Sequence, residues 1–523
     1  MIIFAEIFSI MKLKNILLLF ISLCVAATFS SCRREAQIRY VIDVEDAACT
    51  NLQQTLVVDF WVHQDAINAG TQFYASSDAS WTTVSEITVK GNGANKFLSF
   101  DVNVEENSGD TRVATISISA TNCITKEVKI CQYSAPSNQG VANHTLMYYF
   151  FGTSLNRFFK TNLEDATAAI EAGALGQNNR VVFFRQESEY SGYIGELRYE
   201  PEGKKCIEQR LKSVTLPAGV IKPERIGEMI AEMAGIAPAE RYGIIFAGHG
   251  QGWVTRELLD NRVDGGTMMQ MGVGANPWIP APGAELTRAF GEGNVQVNID
   301  ELAEGIEKSQ VDLDYILFDA CFMSNIESIY ELRNAANYII ASPCEIMSRG
   351  FPYHRTLAYL FAEDGKKSDY KGAAESYYKF YRDEYVGNAR SGCVAVYDCS
   401  EIETLAEATR AVMATAKLGY KEVDTSIIQT YEGLETHQFY DFGEWVNVVA
   451  TDSEALAAFN AQMDKTVIAK HSLPSFYSAY GKHGTYNIDL NVYSGVTTSA
   501  PSKAFPAAWR DTNWNKDVIG LEN

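Results

Sequence analysis

A histidine and a cysteine end two apolar runs of this sequence, and together they could act as a base and a nucleophile. His249 follows the run 242–247 and lies between two glycines, and Cys321 follows the run 315–318. A free thiol is mostly protonated at neutral pH, so a nucleophilic cysteine needs a nearby base or a lowered pKa. The pair therefore predicts a cysteine hydrolase.

The residues next to the pair could complete the chemistry. His249 can take the thiol proton and return it to the leaving amine. A helix predicted over 325–333 would favour the Cys321 thiolate through its N-terminal dipole. The backbone amides of Gly250 and Cys321 are candidate donors to an oxyanion. Taken singly, either motif is equally consistent with a glycine-rich loop holding an incidental histidine, or with a buried structural cysteine.

The two runs are typical of buried parallel strands, whose carboxyl ends carry the reacting groups in open α/β sheets. Strands and helices alternate from residue 144 onwards, which predicts an α/β domain over 144–523. The predicted strands are 145–151, 180–184, 242–247, 314–319, 338–341 and 392–397, and the predicted helices are 163–172, 223–233, 300–308 and 325–333.

A separate β-rich domain precedes this region. With 523 residues, the chain exceeds the usual size of a single core. Residues 38–134 contain short alternating runs separated by turn residues, which predicts a small all-β immunoglobulin-like sandwich. The small and polar stretch 135–143 is the expected linker.

The amino-terminal residues have the composition of an export signal. Basic residues and a short apolar core follow Met11, which we take as the natural start. Small residues lead to Cys32 in a segment that resembles a bacterial lipobox, so 1–31 would be removed and Cys32 lipidated. A plain secretory signal is the alternative. We expect a protein held at the cell envelope, in the outer membrane, by its lipid anchor.

Overall charge and composition argue against nucleic-acid-binding proteins and metalloproteins. The formal net charge of −21 argues against nucleic-acid binding, which needs a basic face. The sequence has only seven histidines, no HExxH pair and no CxxC pair, so we predict no metal site and no cofactor.

The strand-end motifs resemble those of the clostripain family of cysteine peptidases. The matching segments are 242–253, 314–333, 338–343 and 350–353, and the resemblance spans about residue 144 to the C-terminus, with a C-terminal extension. It implies an α/β caspase-like fold, in which a mostly parallel sheet is flanked by helices. It also implies hydrolysis of peptide bonds in a peptide or protein substrate through a Cys–His dyad. Calcium dependence occurs in the family, but no calcium-binding motif is visible here.

Substrate preference is less clear from the same resemblance. Family members cut after arginine or lysine and use acidic residues to bind that side chain, and Asp319 matches one of them. Asp319 could equally be structural. Arg349 occupies the place of a second acid, where it would repel a basic side chain or pair with Asp319. Glu345 could swing in as the missing acid, and otherwise we expect reduced or altered basic specificity.

Family members also activate themselves by cutting the loop after the histidine. Arg256 and Arg262 lie in this loop, and Arg262 precedes a flexible glycine pair, so we expect self-cleavage at Arg262.

The β-rich region resembles the BACON family of surface domains, which is proposed to bind carbohydrate or mucin. The resemblance rests on the segments 80–84, 112–116 and 128–132. Glycan binding through 38–134 is therefore one expectation, and a spacer that lifts the enzyme off the membrane is the other. Trp81 fits a core residue better than a sugar platform. For the whole protein, the alternative to a peptidase is a catalytically weak or inactive peptidase-fold lipoprotein that binds protein or glycan.

Overall fold

The computed structural model describes most of the chain in two compact units, one up to Ser137 and one from Asn138 onwards. The described residues are 40–49, 51–93, 96–109, 112–132, 141–200, 204–217, 221–260, 284–289, 296–361, 368–416, 423–434, 436–480, 486–499 and 501–521.

The first unit is the predicted all-β sandwich. One sheet has the strand order β1-β3-β7-β5, with β6 also paired to β7, and the other has the order β2-β9-β8-β4. Apolar side chains from the inner faces of both sheets form one core, as expected for a sandwich. The elements are β1 Ile42–Asp43, β2 Ala47–Cys49, β3 Gln54–Val62, α1 Gln64–Asn68, β4 Phe73–Ser77, β5 Thr82–Val84, β6 Thr88–Lys90, β7 Phe97–Val104, β8 Arg112–Ala120 and β9 Lys126–Gln132.

The second unit is built on a nine-stranded mixed sheet with the order β13-β12-β11-β10-β14-β15-β16-β17-β19. The strands of this unit are β10 His144–Phe150, β11 Asn179–Ser188, β12 Ser191–Glu200, β13 Lys205–Thr215, β14 Tyr242–Ala247, β15 Leu313–Asp319, β16 Tyr338–Ala341, β17 Cys393–Asp398, β18 Tyr440–Asp441, β19 Val467–Ser472, β20 Ser475–Ser478, β21 Tyr486–Asp489 and β22 Thr497–Thr498. The five central strands, β11, β10, β14, β15 and β16, are parallel, and the remaining pairs in the sheet are antiparallel.

Amphipathic helices pack against the sheet. The helices are α2 Asn156–Glu171, α3 Pro223–Ile236, α4 Arg256–Asp260, α5 Ile299–Ser309, α6 Ile326–Glu331, α7 Tyr353–Leu360, α8 Tyr370–Glu384, α9 Ile402–Met413, α10 Phe442–Val449, α11 Ser453–Thr466 and α12 Pro506–Arg510. The residues of β10 are all buried, as are nearly all those of β14 and β15. This burial explains their continuous apolar runs, because a parallel strand covered on both faces has no solvent side.

Three local features differ from the expected pattern. The sheet ends in antiparallel pairs on both sides, because β12 and β13 form a hairpin and β17 runs antiparallel to both of its neighbours, β16 and β19. The loop after His249 contains the short helix α4. The helix after Cys321 begins only at Ile326, with Asn325 as its N-cap. Among the helices of the described ranges, none is long and apolar enough to cross a membrane.

Candidate active site

Strands β14 and β15 bring His249 and Cys321 to one edge of the sheet. The two strands pair in parallel with Ala247 opposite Asp319. His249 lies two residues after Ala247, and Cys321 lies two residues after Asp319, so they leave the sheet at the same level. The intervening backbone is tightly packed, because a Cβ atom on Gly250 would overlap the backbone of Cys321. Glycine at this position therefore allows the two strand ends to approach each other.

The His249 ring is half-buried, with its Nδ1 atom enclosed, and it is electrically neutral at physiological pH. Its Nε2 atom lies 3.1 Å from Ser154 Oγ. Burial lowers the pKa of His249 to about 4, and the nearby Arg288 cation adds to the effect, while the Ala289 backbone opposes it. Among the described residues, no hydrogen bond joins the ring to the thiol of Cys321. A neutral imidazole is the form that can accept a proton.

The thiol of Cys321, unlike the His249 ring, is completely buried. Its Sγ accepts a hydrogen bond of 3.0 Å from the Ile346 amide. Burial raises the pKa of Cys321 well above its ordinary value, and the Glu345 carboxylate raises it further. The expected helix-stabilised thiolate is therefore wrong for this structure, because α6 begins only after a turn and burial dominates. Both members of the pair are uncharged here.

The segment 284–289 lies across the strand ends like a bound peptide. Arg288 N donates to Ile346 O at 2.9 Å, and Ser348 N donates to Leu286 O at 2.9 Å. Thr287 pairs in an antiparallel bridge with Met347. Backbone hydrogen bonding along an extended strand is a common mode of peptide recognition. The chain thus presents one of its own segments to its active site.

The carbonyl group of Arg288 occupies the expected position of an oxyanion. Its oxygen accepts hydrogen bonds from Gly250 N at 2.8 Å and from Cys321 N at 3.4 Å. These are the two amides predicted as oxyanion donors from the sequence. The carbonyl that contacts both of them belongs to the peptide bond between Arg288 and Ala289, which therefore lies against the backbone of Gly250 and Cys321.

The guanidinium of Arg288 fills a closed pocket and is fully buried. Nε donates to Ser348 O at 3.1 Å. Nη1 contacts Asp319 twice, at its backbone oxygen at 3.1 Å and at Oδ2 at 2.9 Å. Nη2 donates to Asn162 Oδ1 at 2.7 Å and lies 3.4 Å from Arg349 O. These five contacts match the five N–H donors of a guanidinium.

Asp319 is held in this pocket by the segment 350–353. Tyr353 Oη donates to Asp319 Oδ2 at 2.7 Å, and the Phe351 amide donates to Oδ1 at 3.2 Å. Gly350 has a φ of +73°, and a Cβ there would overlap both Arg288 and Asp319. Burial raises the pKa of Asp319, and the Arg288 cation opposes this shift. Asp319 is thus both structural and in direct contact with the bound arginine.

The side chain of Arg349 does not pair with Asp319, contrary to one expectation from the sequence. Its Nη2 lies 2.7 Å from Asp165 Oδ2, and His354 Nδ1 lies 3.2 Å from the same oxygen. Only the backbone oxygen of Arg349 faces the pocket. Glu345 does not act as a replacement acid in this pocket either, because its carboxyl contacts Thr287, Ser478 and Ala479.

The remaining predicted residues lie elsewhere. Cys32 and Arg262 are outside the described residues. Arg256 is buried and ion-paired with Glu301, so it is held within the fold. Trp81 is partly buried, with the Arg112 guanidinium 4.3 Å from its ring centre, which fits a structural role. Within the described ranges, no group of three or more His, Cys, Asp or Glu side chains is arranged to hold a metal ion.

Three residues of the site were not predicted from the sequence. Ser154 lies in the turn that follows β10, and Asn162 lies in helix α2. No sequence motif marks either residue. Arg288 is one of three arginines in the stretch 251–298, with Arg256 and Arg262. The sequence cannot rank these three, since the choice depends on which one pairs with 346–348.

Comparisons with known proteins identify the kind of domain that carries this site. The model of the clostripain family matches residues 285–505, and the model of the BACON domain, described as a putative N-terminal binding domain, matches residues 71–132. No curated protein matches the chain.

Two solved structures resemble the second unit. A secreted C11 cysteine protease from Bacteroides thetaiotaomicron, named iotapain, is 26% identical with a TM-score of 0.62, and the match covers 72% of this chain and all of that one. An inactive zymogen C11 protease from Parabacteroides distasonis is 27% identical with a TM-score of 0.59, and the match covers 72% of this chain and 99% of that one. Residues 285–505 therefore form a domain of the clostripain family of cysteine peptidases, and residues 71–132 form a BACON domain before it.

Proposed function

We propose that this cysteine peptidase is an endopeptidase that cuts after arginine, with Cys321 as nucleophile and His249 as general base. One observation carries the proposal: Arg288 has its side chain in the Asp319 pocket and its carbonyl on the amides of Gly250 and Cys321. This is the arrangement that a substrate must adopt to place its reacting carbonyl beside the nucleophile.

The reaction would proceed through an acyl-enzyme. His249 takes the proton of the Cys321 thiol, and sulfur forms a bond to the carbonyl carbon. The amides of Gly250 and Cys321 stabilise the resulting oxyanion. As the C–N bond breaks, His249 gives the proton to the leaving amine, and water then hydrolyses the thioester with His249 again acting as base. Because His249 here contacts Ser154 rather than Cys321, the ring must exchange this partner before the first step.

The pocket supports basic specificity rather than the altered specificity expected from Arg349. That side chain is neutralised by Asp165, so it does not repel an incoming cation. The acceptors around Arg288 are arranged as a planar fork and fit a guanidinium better than an ammonium, which has only three donors. We therefore propose arginine as the preferred residue before the scissile bond, with lysine second.

The same observation supports self-cleavage between Arg288 and Ala289, in place of Arg262. The segment blocks the pocket and the oxyanion site until this bond is cut. The described chain is thus arranged as an uncut precursor, and cleavage would let residues 284–288 leave the site.

The proposed cellular location rests on the composition of the amino-terminal residues. We retain the proposal that Cys32 is lipidated and holds the protein at the cell envelope, which agrees with the secreted nature of the B. thetaiotaomicron relative. Cys32→Ala should abolish labelling by a fatty-acid analogue in a bacterial host and shift the protein from the membrane fraction to the soluble fraction.

A peptide panel tests the proposed activity. Peptides that differ only in the residue before the cleaved bond should be hydrolysed fastest with arginine, more slowly with lysine, and not with glutamate. Cys321→Ala and His249→Ala should abolish hydrolysis, while Cys399→Ala, which changes another buried strand-end cysteine, should not. Equal cleavage after neutral residues would contradict the specificity, and activity in Cys321→Ala would contradict the mechanism.

A further inference from the structure

Glu345 is a fully buried acid beside the active site that the proposed mechanism does not use. Its Oε1 accepts hydrogen bonds from Ser478 Oγ at 2.6 Å and from Ala479 N at 3.0 Å. Its Oε2 lies 2.8 Å from Thr287 Oγ1 and 3.2 Å from Ala479 N. The carboxyl is thus fixed by the protein on one side and faces the peptide-like segment on the other.

Thr287 is the residue immediately before the arginine that occupies the specificity pocket. Its side chain is buried, and the antiparallel bridge to Met347 fixes its position. A substrate that binds in the same register would place its own side chain at this point. The Thr287 hydroxyl therefore marks a second subsite, next to the arginine pocket and built around Glu345.

We propose that Glu345 is a specificity-determining residue that selects a hydroxyl side chain, threonine or serine, immediately before the arginine of a substrate. This inference rests on the proposed arginine-directed activity and adds a second recognised position to it.

The chemistry of a buried carboxyl supports a strict preference. A hydroxyl donates to Oε2 and satisfies the acceptor that faces the segment. Valine has nearly the same shape as threonine but no donor, so it would leave this buried oxygen with only the longer contact to the Ala479 amide. Sites built to bind a polar group discriminate strongly against analogues that lack it. An aspartate at this point would add a second buried negative charge next to Glu345, which is more unfavourable still.

The test compares two arginine peptides that differ only in threonine or valine before the arginine, using the full chain after its own processing. We expect kcat/KM to be at least about tenfold higher for threonine, with serine close to threonine. Ratios within about twofold would overturn the subsite while leaving arginine specificity intact. Failure to cleave any arginine peptide would instead overturn the proposed function, and the subsite with it.

A variant assigns the effect to Glu345. Glu345→Gln keeps the shape and the contacts to Ser478 and Ala479 but removes the charge, so the threonine-to-valine ratio should fall by about threefold or more. The preference for arginine over lysine should not change, because Glu345 does not contact the guanidinium. An unchanged threonine-to-valine ratio in this variant would overturn the assignment.

The chain itself provides a second readout. Thr287→Val should slow self-cleavage after Arg288, and Thr287→Ser should not, since serine keeps the donor. Equal rates for the two variants would contradict the role of the hydroxyl even if both proteins fold normally.

Discussion

Single residues in the arginine pocket combine one charge with several neutral acceptors. Among the described residues, Asp319 supplies the only carboxylate that contacts the Arg288 guanidinium, and backbone oxygens together with Asn162 supply the other acceptors. A buried ion pair is stable only when the remaining donors are also satisfied. The described residues of the pocket meet this condition without a second acid, so the proposed basic specificity does not require an acid at position 349.

Asn162→Ala should weaken cleavage after arginine more than cleavage after lysine. The variant removes the acceptor of one Nη2 donor, and a lost hydrogen bond to a charged group costs about 1.5–3 kcal/mol, or roughly tenfold or more in kcat/KM. Steady-state kinetics with matched arginine and lysine peptides measure the ratio. A parallel fall for both peptides would show that Asn162 only supports the fold.

Gly350→Ala should block the pocket. The added methyl group would overlap Arg288 and Asp319, and the φ of +73° adds backbone strain. Gly387→Ala is the matched control, because Gly387 has a similar φ of +60° and no atom within 4 Å of the added carbon. Thermal unfolding should show lower stability in both variants, more so in Gly350→Ala because of the overlap, but only Gly350→Ala should lose arginine cleavage. Normal activity in Gly350→Ala would contradict the pocket.

The segment 284–289 acts as an added strand that covers Cys321. Its backbone pairs with 346–348 and its Arg288 carbonyl contacts the amides of Gly250 and Cys321. The site is therefore closed by the same contacts that would bind a substrate. In the proposed self-cleavage, release of the segment would expose the thiol and remove the Arg288 cation that helps to lower the pKa of His249.

Arg288→Ala should loosen this segment and make Cys321 more reactive. The variant loses the buried ion pair and all five guanidinium contacts, while the uncut chain remains intact. Alkylation by iodoacetamide, followed by peptide mass spectrometry, should be faster at Cys321 than in an uncut His249→Ala chain. Cys399, which is buried away from the segment, serves as internal control and should react equally in both. Slow alkylation of Cys321 in Arg288→Ala would contradict closure by the segment.

The sequence predicted the elements that carry the dyad better than those that complete the site. Buried central strands such as β14 and β15 have continuous apolar runs, and the positions at their ends follow directly. The hairpin β12–β13 has a more polar outer strand without a continuous apolar run, so the sequence does not predict this hairpin. Ser154, Asn162 and Arg288 reach the site through tertiary packing, which leaves no local pattern.

The division of the whole chain into two units, and the fold class of each unit, follow from a change in the period of its apolar residues near residue 140. Alternation with period two indicates strands with one buried face, and long apolar runs between amphipathic helices indicate a covered sheet. The charge state of the active site does not follow from these patterns. Burial by residues distant in the sequence sets the pKa of Cys321 and His249.

Stability of the peptidase unit should fall in acid because of buried histidines. Burial lowers the pKa of His144 to about 3 from an unfolded value of 6.5. The unfolded chain therefore binds more protons between these values, so the contribution is complete above pH 6.5 and is lost as the pH falls toward 3. His249, with a pKa of about 4, acts in the same direction.

His144→Phe should reduce this pH dependence. The His144 ring packs edge-on against Tyr315 and Phe361, so phenylalanine fits the same aromatic environment. The drop in the free energy of unfolding between pH 6.5 and pH 4, measured by denaturant unfolding, should be smaller than in the native chain by on the order of a few kcal/mol. His63→Phe, a change at an exposed histidine of the first unit, should leave the drop unchanged. An equal drop in His144→Phe would contradict this account.

We propose that Cys321 cuts the Arg288–Ala289 peptide bond of its own chain, whose carbonyl contacts the amides of Gly250 and Cys321. The most direct test is amino-terminal sequencing and intact mass measurement of the purified full chain and of Cys321→Ala, produced in the same host. We predict that the native chain is cut with a new amino terminus at Ala289, and that Cys321→Ala stays uncut. A cut at another position, or the same cut in Cys321→Ala, would contradict the claim.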